Sequence, residues 1–207
     1  MWGIIIILWS YYRITFKTEL PIWLDEWIAK PIVFLLPVII YIKRYETGSI
    51  LTAIGIEKKN LRTNILIGLA FGFLFLVTGL LSTFILLSHH LMELQVNLLA
   101  FIPVLLIAFA SSFSEEILSR GFVLKRLYQD SNNAVTAVLY ASILFFLLHI
   151  PILFTSTGLT GLTIVQVMIT DFLLSVAVSI LFLVRKSLIP VILVHMFYNA
   201  ALYFFIR

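Results

Sequence analysis

Long stretches without any charge alternate with short polar breaks along this chain. No Asp, Glu, Lys or Arg occurs from Asn64 to Ser88, from Leu94 to Ser114, from Ser131 to Thr170 or from Ser187 to Ile206. The third run has room for more than one span, and Gly158 and Gly161 mark the break within it. The pattern predicts helices over 64–88, 98–127, 132–154, 161–184 and 187–206, each at or near the roughly 20 apolar residues that cross a bilayer. Two shorter apolar segments, 2–16 and 27–42, either cross as well or lie in the interface. The expected fold class is therefore all-α, a polytopic transmembrane helical bundle of about seven spans, five of full length and two short. No internal repeat or low-complexity tract is evident. The chain reads as one membrane domain over 1–207, with the chemically interesting residues in 98–206.

Composition strengthens this reading. The 207 residues are 62% hydrophobic and 12% charged, and the mean hydropathy is +1.12. Soluble proteins are nearer half apolar and a quarter charged. So few polar groups cannot cover the surface of a soluble domain, which excludes a soluble enzyme, a nucleic-acid-binding domain and a disordered chain. Lipids are the expected surroundings, and no nucleic-acid partner is expected. The net charge of +4 is explained by loop anchors. With the N-terminus in the cytoplasm and seven alternating spans, the cytoplasmic connections hold Lys43, Arg44, Lys58, Lys59, Arg62, Lys125, Arg126, Arg185 and Lys186. The external side holds Arg13, Lys17, Lys30 and Arg207, a bias that obeys the positive-inside rule. The apolar start has no basic residue before it and no small-residue cleavage site after it, so no removable signal peptide is expected. The absence of cysteine removes disulfides, thiolate metal sites and Cys nucleophiles.

Ionisable groups at membrane depth cost several kcal/mol unless paired or hydrated, so they are functional candidates. Here they are Glu115, Glu116, Arg120, His149, Asp171 and His195, with Asn199 as an uncharged companion. Glu116 and Arg120 are four residues apart and share a helix face, so they can pair. Glu115 points about 100° away and is left as the spare carboxylate, a candidate base. The plainer reading puts all three in water at a helix end. His149 lies in an apolar helix, where packing is as natural a role as chemistry. His195 and Asn199 are again four apart, two donors on one face that can hold an oxyanion or simply tie helices together. Counting 1.5 Å per residue from the basic anchors puts Glu115 and His195 about 15 Å deep, but His149 about 25 Å deep unless its helix tilts or starts late.

Glu-Glu-x-x-x-Arg, then Phe-x-x-x-His, then His-x-x-x-Asn, in order on separate apolar helices, resembles the CPBP family. This family comprises the type II CAAX prenyl endopeptidases and the bacteriocin-processing or immunity relatives also called Abi proteins. The matching residues are Glu115, Glu116 and Arg120, Phe145 and His149, and His195 and Asn199, with Gly121 after the Arg and Leu188-Ile189-Pro190 before the last His. The likeness covers about 64–206. It implies peptide-bond hydrolysis inside the membrane by a glutamate-type protease, on a peptide or lipidated-protein substrate. Glu115 and His149 would activate the attacking water, His195 and Asn199 would hold the oxyanion, and Glu116 with Arg120 would form the supporting ion pair. No cofactor is implied. The alternative is zinc on Glu115, His149 and His195, although no His-Glu-x-x-His motif is present.

Other classes fit less well. A rhomboid-like enzyme needs a nucleophilic Ser, and Gly48-Ser49 lies in a polar loop. A presenilin-like enzyme needs two intramembrane Asp residues, and only Asp171 is available; its plainer role is a hydrated or Ser/Thr-bonded group within the bundle. A transporter is disfavoured by the lack of an inverted repeat. His89-His90 reads as a solvated helix end. A non-catalytic, immunity-type membrane protein stays open. Substrate identity and oligomeric state are not readable from the chain.

Overall fold

The computed structural model describes residues 1–16, 20–57, 59–86, 98–155 and 161–205. Lys17, Lys58, His89, His90, Gly158 and Arg207 lie outside them. Among the described residues every regular element is helical. The elements are α1 (Trp2–Phe16), α2 (Ile22–Leu24), α3 (Lys30–Tyr45), α4 (Ile50–Ala53), α5 (Leu61–Leu86), α6 (Leu98–Glu116), α7 (Lys125–Ser131), α8 (Ala134–Thr155), α9 (Leu162–Arg185) and α10 (Leu188–Phe205). Two π-helical turns interrupt the regular winding. Asp25–Ala29 joins α2 to α3, and Ile117–Leu124 joins α6 to α7. The expected helices are thus found within a few residues of their charge-defined ends.

Among the described residues four helical stretches are long and apolar enough to cross a membrane: Leu61–Thr78, Phe101–Ser131, Ala134–Pro151 and Ile164–Arg185. Trp2–Phe16 and Leu188–Tyr203 are apolar but shorter. The surface is apolar, with Phe71, Phe73, Ile169, Leu173 and Val184 all exposed, while Ser112, Ser142, Ser175 and Ser179 are fully buried. Apolar outside and hydroxyl-lined inside is the arrangement a hydrocarbon solvent favours.

The helix ends follow from local chemistry. Asn133 Oδ1 accepts the Thr136 amide at 3.1 Å and starts α8, and Ser187 Oγ accepts the Ile189 amide at 3.3 Å and starts α10. Pro190 is tolerated there because the first turn needs no amide donor. Asn132 closes α7 in the left-handed conformation, φ 49°. Helix α10 packs mainly against α5 and α6, and α8 packs against α9. Gly68 and Gly72, one turn apart on α5, let the α10 backbone come close. A Cβ at Gly68 would lie 2.9 Å from Pro190 Cα, and one at Gly72 would strike the Phe197 ring. This close packing sets the depth of α10, and so of His195, in the bundle.

A polar cluster at the centre of the bundle

Glu115 and Glu116 stand at the end of α6, immediately before the second π turn. Such turns recur at functional sites because the widened winding re-aims side chains. All eight residues of this turn are buried. Gly121 lies beneath α4's end, where a Cβ would sit 2.8 Å from the Ile54 carbonyl oxygen.

Arg120 reaches from this turn to three elements. Its Nη1 donates to Glu116 Oε1 at 2.7 Å. Nη2 donates to Ser175 Oγ at 2.6 Å and to the Ser175 carbonyl at 3.0 Å, and Nε to Ser179 Oγ at 3.3 Å. The guanidinium carbon lies 4.4 Å from the centre of the Phe145 ring. A side chain only 1% exposed needs this many partners, because an unpaired charge there costs several kcal/mol.

The same Glu116 oxygen accepts from His195 Nδ1 at 2.6 Å. A carboxylate on Nδ1 fixes which ring nitrogen carries that proton and turns Nε2 inward. On α8, His149 Nδ1 donates to the Phe145 carbonyl at 3.1 Å, which turns its Nε2 inward as well. Both nitrogens face one atom. Glu115 Oε2 lies 3.8 Å from His149 Nε2 and 3.7 Å from His195 Nε2. It is buried and makes no hydrogen bond to the described residues. Phe145 packs against both imidazoles, at 4.7 and 5.7 Å between ring centres. The His149 side chain is 17% exposed against 2% for His195, so the cluster opens on the α8 side.

Asn199, one turn beyond His195, donates to Ser112 Oγ at 3.1 Å. It therefore flanks the cluster and makes no described hydrogen bond to Glu115 or either imidazole. Asp171 does join the group. Tyr198 donates to its Oδ1 at 2.6 Å, and its Oδ2 lies 4.0 Å from His149 Nε2. The hydroxyl that Asp171 meets is thus that of a tyrosine, where water or a Ser or Thr was expected, and the carboxylate lies beside the cluster.

Three expectations need correction. Glu115 is not a spare carboxylate, and Lys30 is not an external loop anchor. Lys30 Nζ donates to Glu115 Oε1 at 2.8 Å and to Ser111 Oγ at 2.8 Å, and pairs with Glu26 at 2.5 Å. Lys30 is 5% exposed. Arg13, also expected as a loop anchor, lies within α1 and is buried 3.7 Å from Asp25. A basic residue between two apolar runs looks like an interfacial anchor until its partner, here 85 positions away, is known. The Glu26-to-Lys30 spacing of four was the available signal.

The zinc alternative calls for Glu115, His149 and His195 to close around one ion. Among the described residues no three His, Asp or Glu side chains are gathered as a metal-ion site, and Lys30 already brings a positive charge to Glu115.

Comparison with known proteins identifies the segment that carries this cluster. No curated protein and no solved structure matches the chain. A family model, type II CAAX prenyl endopeptidase Rce1-like, matches residues 97–201. Every motif residue from Glu115 to Asn199 falls inside that segment, and the apolar helices around it make the chain a multi-pass integral membrane protein. The segment spans just over half of the 207 residues, and the chain belongs to the Rce1-like family of type II CAAX prenyl endopeptidases.

Proposed function

We propose that this chain is a glutamate-type intramembrane endopeptidase that hydrolyses a peptide bond with an activated water. Its substrate is a prenylated CAAX peptide or another membrane-associated peptide. One observation carries the reading: a buried carboxylate oxygen with no hydrogen-bond partner among the described residues, Glu115 Oε2, faces two imidazole nitrogens at 3.7 and 3.8 Å. These distances are too long for direct hydrogen bonds and suit groups that share one small oxygen species.

In this reading Glu115 Oε2 and His149 Nε2 hold the water. As the water oxygen attacks the carbonyl carbon, its proton passes to Glu115. The tetrahedral intermediate places negative charge on the former carbonyl oxygen. His195 Nε2, when protonated, and the second amide proton of Asn199 are the donors for it. The Glu115 proton then passes to the departing amine, and the C–N bond breaks. Glu116, shared between Arg120 and His195, keeps the imidazole in one orientation. The reaction uses no resident metal. The N-terminus is cytoplasmic, and α3 together with the two shorter apolar helices completes seven crossings.

The test is cleavage of a fluorogenic farnesylated CAAX peptide, and of its unprenylated form, by the purified protein in liposomes. Glu115→Gln is expected to lower kcat by about 10²–10⁴-fold, the scale of a lost general base. A chelator is expected to leave the rate unchanged. Full activity in Glu115→Gln would overturn the reading, and chelator-sensitive cleavage would move the three residues into a metal site.

A further inference from the structure

We infer that Lys30, from outside the family-matched segment, is a positioning residue for Glu115 that fixes which carboxylate oxygen is offered to the water. The inference rests on the function proposed above for Glu115.

The geometry is fully specified. An ammonium has three protons to donate and no acceptor. Lys30 Nζ donates to Ser111 Oγ and Glu115 Oε1, each at 2.8 Å, and forms an ion pair with Glu26 Oε2 at 2.5 Å. Its remaining side lies over the Trp9 ring, 5.7 Å from the centre. Ser111 Oγ in turn donates to the same Glu115 oxygen at 3.2 Å. Oε1 is therefore held by two donors, Lys30 of α3 and Ser111 of α6. The carboxylate cannot rotate without giving up both bonds, and Oε2 is left aimed at His149 and His195.

A merely structural role explains this poorly. Taking an ammonium out of water is costly, and a buried ion pair gains little over apolar side chains of the same volume. What the pair supplies here is orientation of a single group. A group that must be held within about 0.5 Å for chemistry needs such a supporting shell. Glu26 has no imidazole among its described partners, so it serves as the counter-ion that holds Lys30 in place. The first π turn sets Glu26 four positions before Lys30 on one face, and α3 carries Lys30 to α6.

The experiment uses the full chain in liposomes, with the farnesylated CAAX peptide as probe. Lys30→Met keeps the length of the side chain and removes its charge. It is expected to lower kcat between about 10- and 100-fold, the usual range for a lost supporting partner, with KM within about threefold of the parent. Ser111→Ala is expected to lower kcat by a smaller factor, again with KM unchanged, and carries the test if Lys30→Met does not fold.

Melting temperatures supply a readout independent of turnover. Glu115→Gln is expected to recover part of the Tm lost in Lys30→Met, because it removes the carboxylate left without its cation. Parent-like kcat in both Lys30→Met and Ser111→Ala overturns the inference. So does a loss shared equally by KM, or an additive effect of Lys30→Met and Glu115→Gln on Tm. If Glu115→Gln itself keeps the parent rate, the proposed function has failed. If Glu115→Gln is inactive while Lys30→Met keeps the parent kcat, only the role of Lys30 has failed.

Discussion

The two halves of the molecule carry the same short pattern and use it differently. Asp25-Glu26 is followed by Lys30, and Glu115-Glu116 by Arg120. In each, the second acid pairs with the cation four positions on. Each pattern also runs through or into a π turn. The first acids differ. Asp25 accepts from Tyr12 and lies beside Arg13, so its neighbours are groups that donate or attract. Glu115 is held at one oxygen by Lys30 and Ser111, while the other faces two imidazoles. The surroundings of the turns differ as well. Trp27 and Ile28 of the first are exposed, whereas the second is buried throughout. An acid–acid–cation spacing is therefore a bracket, and what stands across from the first acid decides whether it holds helices together or offers an oxygen for chemistry.

Removing the cation of the second bracket tests that difference most severely. Arg120→Met leaves Glu116 at 0% exposure without its guanidinium and removes the ties to Ser175 and Ser179. A loss of about 3–5 kcal/mol in stability is expected, the cost of breaking a buried pair from one side. Asp25→Asn in the first bracket keeps an acceptor for Tyr12 but removes the charge beside buried Arg13, 3.7 Å away and short of hydrogen-bond contact, and is expected to cost less, about 1–3 kcal/mol. Thermal unfolding of both variants in one detergent gives the comparison. Equal losses would mean that the brackets are equivalent and that the contrast drawn above is wrong.

The second π turn also packs tightly against the N-terminal half. At Gly121 an added Cβ would sit 2.8 Å from the Ile54 carbonyl oxygen, a backbone atom, and 3.0 Å from Leu188. Gly121→Ala is therefore expected to cost about 1–3 kcal/mol, the usual range for overpacking. The Leu188 amide donates to the Gly55 carbonyl at 2.9 Å, so the loop cannot retreat freely. Gly3→Ala, where nothing lies within 4 Å, is the matched control and should leave Tm near the parent value. A wild-type Tm for Gly121→Ala would show the α4 loop to be loosely seated and would separate the halves further than the contacts suggest.

Much of this arrangement was legible in the chain, for one physical reason. Ionisable residues inside apolar helices are too costly to be incidental, so Glu115, Glu116, Arg120, His149, Asp171 and His195 stood out as residues that had to meet partners. The i,i+4 pairing of Glu116 with Arg120 follows from helix geometry alone. The charge-free runs marked the helices closely because a membrane span must satisfy its own backbone and exclude charge. What stayed hidden was tertiary. Lys30 sits at the border of an apolar run and reads as a loop residue; only the packing of α3 on α6 reveals it as a partner of Glu115. The depth mismatch for His149 was another such case, since α8 begins at Ala134 and still brings its Nε2 within 3.8 Å of Glu115. The π turns have no periodic signature. Gly68 and Gly72, however, carry a spacing of four that signals close helix packing.

The smallest effect is expected where the halves meet near the surface. Glu46, just after α3, accepts from Arg126 of α7. The pair joins the same two regions as Lys30 and Glu115, but it is half-exposed, with the side chains 21% and 32% accessible. Solvent screens such pairs, and their net value is about 0–1 kcal/mol. Arg126 has other holds: it donates to the Phe122 carbonyl at 2.9 Å, and its guanidinium carbon lies 3.8 Å from the centre of the Phe122 ring. Glu46→Gln should therefore lower stability by less than about 1 kcal/mol, with the difference shrinking further as salt is raised. Peptide cleavage should not change. A loss of cleavage in Glu46→Gln at parent-like Tm would mean that the N-terminal half reaches the site through the α7 end of the bundle as well as through Lys30, and the division of the molecule into a bracket for support and a bracket for chemistry would have to be redrawn.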